Sequence, residues 1–339
     1  MTKDRVVFFA NGDFAIDTFE TLVNNGSNIV GLVTCANDKV RFHKKTIRQV
    51  AEELRVPYYT IKGDNFEEDD FFIDWLKRMD ADIFCVISFK KLPKKVIKLA
   101  KKCAFNVHAS LLPFLRGAAP INWAIRLGYK ETGLTAFVLN DQIDQGDIIA
   151  NTKVKIAAGE KYTTLYKKLS DVCVDFTNHV IEDVLQHKDW KECLIAQPTW
   201  SDGHEYLHVA RKVNSDYFYT HWSHFDAESF KILLNSVDNI GFPCKILTRD
   251  EDGKRLQCDA KIYEIEVVEK NESSSKYCES DGKTFIKLNL PGEESVLIKK
   301  IQLAGKKIMS IEDFLNGFRY FREYEHTTIT DLMEADSYE

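Results

Sequence analysis

The chain has no apolar run near the ~18 residues of a membrane helix, and none of its cysteines stand at C-x-x-C spacing. The first absence argues against any membrane-spanning role. The eight cysteines lie singly at 35, 85, 103, 173, 193, 244, 258 and 278. Such scatter suits a reduced, cytoplasmic protein better than a disulfide framework or a zinc ribbon. A strong positive balance is also missing: 46 Lys and Arg face 52 Asp and Glu, a net charge of -6. That opposes tight non-specific nucleic-acid binding but leaves room for a local basic patch. N-G-D-F after the first apolar run is no dinucleotide fingerprint, so no NAD is expected. The opening MTKDRVVFFANGDF holds only a short apolar run, and reads as a first strand rather than a secretory signal. Internal repeats are absent.

What is present is a soluble globular composition, 44% apolar and 29% charged over 339 residues, enough for two domains. The first half alternates strand and helix signals. Strands are expected at Arg5–Ala10, Asn28–Thr34, Asp82–Ser88, Ala104–His108, Thr135–Leu139 and Asp147–Val154. Helices are expected at Asp13–Val23, Lys45–Leu54, Pro93–Lys101, Ala118–Leu127 and Thr163–Leu185. The pattern implies an α/β domain over 1–190, a doubly wound, mostly parallel sheet with helices on both faces. Residues 191–206 are polar and irregular, and read as a linker. Over 207–325 short strands at Cys244–Leu247, Lys261–Val268, Thr284–Leu288 and Val296–Leu303 alternate with polar turns. A small all-β, OB-like barrel is expected there, closed by a helix over Met309–Tyr320. An acidic tail, 326–339, follows.

The strand ending Asn106-Val107-His108 presents an amide and an imidazole on one face. The loop N-D-Q-I-D-Q-G-D after Thr135–Leu139 carries Asp144. If both strands are central, the three side chains meet at one crevice beyond the strand ends. An amide can donate to an oxyanion as a carbonyl carbon becomes tetrahedral. A carboxylate beside an imidazole favours its charged form and orients it, and the pair can move a proton off an attacking amine. No serine or cysteine nucleophile is then required, so acyl transfer to an amine is expected, without a metal. The plain alternative is two strand-end polar residues and a turn-forming aspartate.

The surrounding residues carry a resemblance. N-x-H-x-S-L-L-P (Asn106–Pro113), R-G-A-A-P-I (Arg116–Ile121), E-T-G-x-T (Glu131–Thr135) and I-D-x-G-D-I-I (Ile143–Ile149) stand in order and spacing. Together they resemble the 10-formyltetrahydrofolate-dependent formyltransferases. The resemblance implies a Rossmann-like formyltransferase fold, 10-formyltetrahydrofolate as formyl donor, and Asn106, His108 and Asp144 as the catalytic trio. It also implies that Phe89, Lys90, Leu92, Ser110, Leu111, Leu112, Pro113, Asn140 and Gln142 lie around the folate.

Phe8–Val23 is similar to the start of methionyl-tRNA formyltransferases, and Ile301–Phe318 to the end of their second domain. An initiator methionyl-tRNA is therefore the first acceptor expected, and a nucleotide-linked amino sugar the alternative. Two stretches depart from the tRNA type. Cys35–Ala51 is shorter than the corresponding loop and lacks its glycines, and Asn235–Ile246 has lost an arginine and much of its Gly/Pro pattern. Arg41, Lys44 and Lys45 keep the first stretch basic. With Arg116, Lys306 and Lys307 they are the expected acceptor-binding residues; Lys299 and Lys300 lie across the same presumed hairpin as the last two. A distant alternative comes from His204-Glu205-Tyr206-Leu207-His208, which matches the H-E-x-x-H of zinc proteases, with Glu228 as a third ligand.

Overall fold

A computed structural model describes residues 3–37, 40–198, 209–218, 222–249, 252, 254–269, 277–318, 321 and 327–331. It divides into two compact units. One comprises Met1–Ala124, Tyr129–Ala157 and Thr164–Arg211; the other Ile125–Gly128, Ala158–Thr163 and Lys212–Glu339. No helix among the described residues is long and apolar enough to cross a membrane.

The first unit is built on strands β1 (Val6–Ala10), β2 (Ile29–Cys35), β3 (Tyr58–Ile61), β4 (Ile83–Ile87) and β5 (Cys103–His108), a two-residue β6 (Arg116–Gly117), β7 (Glu131–Val138), β8 (Ile148–Lys155) and β9 (Val209–Ala210). Its main sheet runs β3-β2-β1-β4-β5-β7-β8. Every residue of β1 and β4 is buried, as expected of strands covered on both faces. The order reverses between β1 and β4, which places the switch point of a doubly wound sheet at their carboxyl ends. Helices α1 (Ile16–Asn24), α2 (Ile47–Glu53), α3 (Asp70–Met79), α4 (Lys94–Ile97), α5 (Pro120–Arg126) and α6 (Tyr162–Glu182) make the connections. The fold is the doubly wound, mostly parallel one expected.

Sequence periodicity left 55–81 unassigned. The edge strand β3 grades from exposed Tyr58 through two half-buried residues to buried Ile61, so it shows little alternation. Helix α3 starts at Asp69, whose carboxylate accepts from the N–H groups of Phe71 (3.0 Å) and Phe72 (3.2 Å).

The topology differs from the simplest expectation at one place that matters. Strand β7 pairs antiparallel to β5, with His108 opposite Thr135 and Phe105 opposite Val138. The carboxyl end of β7 thus lies level with the start of β5, about three residues or ~10 Å from His108. The loop that follows has to double back along the sheet to reach it.

The second unit contains α7 (Ser215–Phe218) and α8 (Ala227–Asn235), then β10 (Phe242–Arg249), β11 (Arg255–Glu269), β12 (Cys278–Ser280), β13 (Ile286–Leu288), β14 (Glu294–Leu303), β15 (Met309–Ser310), α9 (Ile311–Gly317) and β16 (Thr328–Thr330). The antiparallel order β12-β13-β14-β11-β10-β16 curls into a nearly closed barrel. Its two ends meet where the Cys278 thiol on β12 bonds the Ile329 backbone and the Thr328 side chain on β16. Trp222, Phe230, Phe242 and Phe314 are fully buried. The rings of Trp222 and Phe230 lie 5.2 Å apart, and those of Phe230 and Phe242 5.7 Å.

Candidate active site

Alternation along β5 puts Asn106 and His108 on one face of the sheet. His108 is buried, with its Nε2 2.8 Å from the Leu115 carbonyl oxygen. A carbonyl only accepts, so Nε2 carries the hydrogen. The other nitrogen, Nδ1, is turned to Asp144, 3.8 Å from Oδ2. Asn106 is half-buried, and its carboxamide makes no hydrogen bond to any described residue. A donor at the lip of the sheet is therefore uncommitted, two residues from the imidazole.

The turn after β5 is held from β7. Thr135 Oγ1 donates to the Ser110 carbonyl (2.7 Å) and accepts from the Leu112 N–H (3.1 Å). Ser110 Oγ donates to the Phe114 carbonyl at 2.6 Å. This turn contains the cis Leu112–Pro113 peptide.

Asp144 reaches His108 through the doubled-back loop, at a left-handed φ of 54°. Its Oδ2 accepts from the Gly117 N–H at 2.8 Å. Gly117 has φ 116°, and a Cβ there would stand 2.7 Å from the Ala210 carbonyl oxygen. At Gly146 a Cβ would fall 1.6 Å from the Val138 carbonyl oxygen, so only glycine lets the loop return so closely to β7. Gln197 completes the arrangement. Its Nε2 donates to the carbonyls of Asp144 (3.0 Å) and Gly146 (2.7 Å). Its Oε1 accepts from Arg116 Nε (3.1 Å) and Nη2 (2.7 Å).

The segments expected around the folate meet each other. Lys91 Nζ donates to the Asp141 carbonyl at 2.6 Å, and Lys94 lies 3.5 Å from the Asp141 carboxylate. Leu92 is buried, and Leu139 and Phe89 pack on the same cluster. Asn140 Oδ1 accepts from the Gln142 N–H at 2.9 Å, closing the tip of the loop. Gln142 is exposed there, and Leu111 is half-buried in the turn after β5. Lys90 points elsewhere: its ammonium donates to Asp64 (2.6 Å) and the Gly63 carbonyl (2.8 Å).

The residues expected to bind an acceptor are placed differently from one another. Arg41 and Lys44 are exposed, and Lys45 is paired with Glu53 at 2.7 Å. Arg116 is 8% exposed, and two of its N–H groups are taken by Gln197. Lys306 and Lys307 stand exposed in the turn after β14. Lys299 and Lys300 do not join them as free charges, because Glu266 (3.0 Å) and Glu264 (2.6 Å) pair with them across the sheet. The H-E-x-x-H stretch at 204–208 lies outside the described residues.

Two residues escaped sequence reasoning. Asp13 is buried, and its Oδ2 accepts from the backbone N–H groups of Arg41 (2.6 Å), Phe42 and His43 (3.3 Å). A single carboxylate thus pins the basic loop. Its only signal is the turn N-G-D-F. Gln197 falls in the stretch read as linker, and nothing in its neighbours marks it. Yet Ile195, two residues earlier, exchanges both backbone hydrogen bonds with Ile148 (2.8 and 3.0 Å).

A formyl transferase family description matches residues 4–181, and a formyl transferase C-terminal domain description matches 261–319. A methionyl-tRNA formyltransferase of Parabacteroides distasonis is 31% identical over 331 residues, covering 94% of this chain and 97% of its own. Among solved structures, a sugar 3-N-formyltransferase with dTDP and 5-N-formyltetrahydrofolate superposes with a TM-score of 0.61 at 13% identity, over 91% of this chain and all of the other. An N-formyltransferase of Helicobacter canadensis with folinic acid and dTDP-3-aminofucose gives 0.60 at 13% identity, over 88% and 99%.

Proposed function

Because the chain belongs to the formyl transferase family, we propose that Asn106, His108 and Asp144 carry a formyl group from 10-formyltetrahydrofolate to the α-amino group of methionyl initiator tRNA. The uncommitted Asn106 carboxamide beside the His108–Asp144 pair is the observation that carries the chemical part.

The donor supplies a formyl group already activated on nitrogen. As the amine attacks the formyl carbon, Asn106 Nδ2–H donates to the oxygen that gains charge. His108 is fixed through Nε2 by Leu115, so Nδ1 is the nitrogen it can turn to the reaction. Asp144, 3.8 Å from Nδ1, orients the ring. The amine's proton leaves by way of this pair, the bond from the formyl carbon to the donor nitrogen breaks, and that nitrogen takes up a proton. The joined segments Phe89–Leu92 and Asn140–Asp144, with Leu92 and Leu139 as an apolar wall, fit a flat heterocycle with polar edges.

For the acceptor, support comes from a methionyl-tRNA formyltransferase similar along almost its whole length, and from the exposed Arg41, Lys44, Lys306 and Lys307. A nucleotide-linked amino sugar is the second reading. It is favoured by the shortened loop and by the pairing of Lys45, Lys299 and Lys300 with glutamates, which leaves fewer charges for an RNA backbone. The test offers labelled 10-formyltetrahydrofolate with charged initiator tRNA in one reaction and a panel of nucleotide-linked 3- and 4-amino sugars in others. Label on the tRNA is expected. Label on a sugar alone would replace the acceptor and leave the chemistry standing.

A further inference from the structure

We infer that Gln197 is a positioning residue for this reaction: its carboxamide ties the Asp144 loop to Arg116 and so sets where the Asp144 carboxylate stands against His108. The inference rests on the roles proposed above for Asp144 and His108.

The Gln197 carboxamide is fully used. Nε2 has two hydrogens, and the carbonyls of Asp144 and Gly146 take them at 3.0 and 2.7 Å. Oε1 accepts two N–H groups of one guanidinium, at 3.1 and 2.7 Å. Gln is a neutral side chain that can serve both partners at this length, because it carries donors and acceptor on one rigid plane. Glutamate would meet the guanidinium but offer no donor to the two carbonyls. Arginine or lysine would meet the carbonyls but repel Arg116.

The loop needs such a tie. Asp144 holds a left-handed φ of 54°, a conformation that non-glycine residues keep only when their surroundings impose it. Gly146 is pressed against the Val138 carbonyl. Between these points the chain has no secondary structure of its own. Among the described residues, three hydrogen bonds from outside the loop fix it: the Gly117 N–H on the Asp144 carboxylate, and the two Gln197 bonds on the backbone at and just after Asp144.

Gln197 itself is anchored. The Ile195–Ile148 backbone exchange secures the chain two residues before it, at the start of the strand that follows the loop. Arg116, its other partner, is buried and begins β6, whose next residue donates the Gly117 N–H to Asp144. Further along, Val209–Ala210 pairs in parallel with Arg116–Gly117, and the Ala210 carbonyl accepts from the Ala119 N–H. Gln197 and the Val209–Ala210 pair, both after α6, therefore brace Arg116–Gly117.

The experiment uses the full-length protein as wild type, Q197A, Q197E and H108A, with whichever acceptor the wild type formylates. Steady-state kinetics are measured at saturating acceptor, and folding is checked by thermal unfolding. A misplacement of ~1 Å costs ~10²-fold in rate. The expected result is a kcat ~10²-fold down in both Gln197 variants, with the donor KM within about twofold of wild type. Q197E is decisive. It is isosteric and keeps oxygens for Arg116, so a side chain that merely satisfied that guanidinium would be replaced without loss. Wild-type kcat in folded Q197E overturns the inference, whether or not Q197A folds. Near-normal turnover in H108A would sink the underlying reading instead. An inactive H108A beside an active Q197E sinks the positioning role alone.

Discussion

Asn106 and His108 stand on one face of β5 for a reason visible in the letters: a two-residue spacing at the end of an apolar strand. The arrival of Asp144 beside them was legible only in outcome. Its loop was expected to leave a strand end next to His108, whereas β7 runs antiparallel and the loop returns over the sheet. What permits that return is a single hydrogen atom at position 146. Gly146→Ala would bring a methyl group against the backbone of Val138, which cannot yield as a side-chain tip can. A loss of about 1–3 kcal/mol of stability is expected from the overpacking, with a fall in kcat because Asp144 moves. Urea unfolding and turnover of the variant check both; an unchanged kcat would detach the loop's close return from catalysis. Gln197 lay beyond sequence reasoning altogether, since its partners are two backbone carbonyls and one arginine, none of which leaves a periodic trace.

At the scale of elements, the basic loop and the helix after it are held by polar contacts that composition alone would take for solvated surface. Thr46 caps α2: its Oγ1 accepts from the Gln49 N–H (3.3 Å), and Gln49 Oε1 accepts from the Thr46 N–H (2.8 Å). Thr46→Ala should cost about 1 kcal/mol by chemical denaturation. Asp13 holds the other end of the loop through three backbone N–H groups. Releasing it in Asp13→Ala is expected to raise the acceptor KM severalfold, by the lost order of Arg41 and Lys44, with the donor KM unmoved. A rise in the donor KM alone would show that the loop serves the folate side. The strands were easier to read than these contacts. β1 and β4 are apolar at every position because both faces are covered, whereas β3, partly buried at the sheet edge, left no pattern.

For the whole molecule, the thiols give a pH dependence that can be checked. The eight cysteines are all free. Burial pushes the Cys103 thiol up to about 12, and raises those of Cys85, Cys173 and Cys244. A thiol whose folded value exceeds its unfolded one keeps its proton more tightly when folded. The stability it contributes is fully present below the ordinary thiol value and is lost as pH rises through the folded one. For Cys103 the window runs from 9.0 to about 12, so the Tm should fall steadily over that range. Alkylation at pH 8 should label the exposed Cys193 first and spare the five buried cysteines until unfolding. Rapid labelling of Cys103 in the folded protein would contradict the packing described. The acceptor is the feature least legible at this scale. The sequence shows where a lysine is but not whether a glutamate across the sheet has taken it.

The most direct measurement is single-turnover formyl transfer, with wild type and Asn106→Ala each preloaded with labelled 10-formyltetrahydrofolate and mixed with charged initiator tRNA. Label should move to the methionyl amine in the wild type and move ~10²–10³-fold more slowly in the variant, with donor binding by equilibrium dialysis unchanged. Transfer by Asn106→Ala at the wild-type rate would contradict the assignment of the oxyanion to that carboxamide, and with it the reaction centre described at the end of β5.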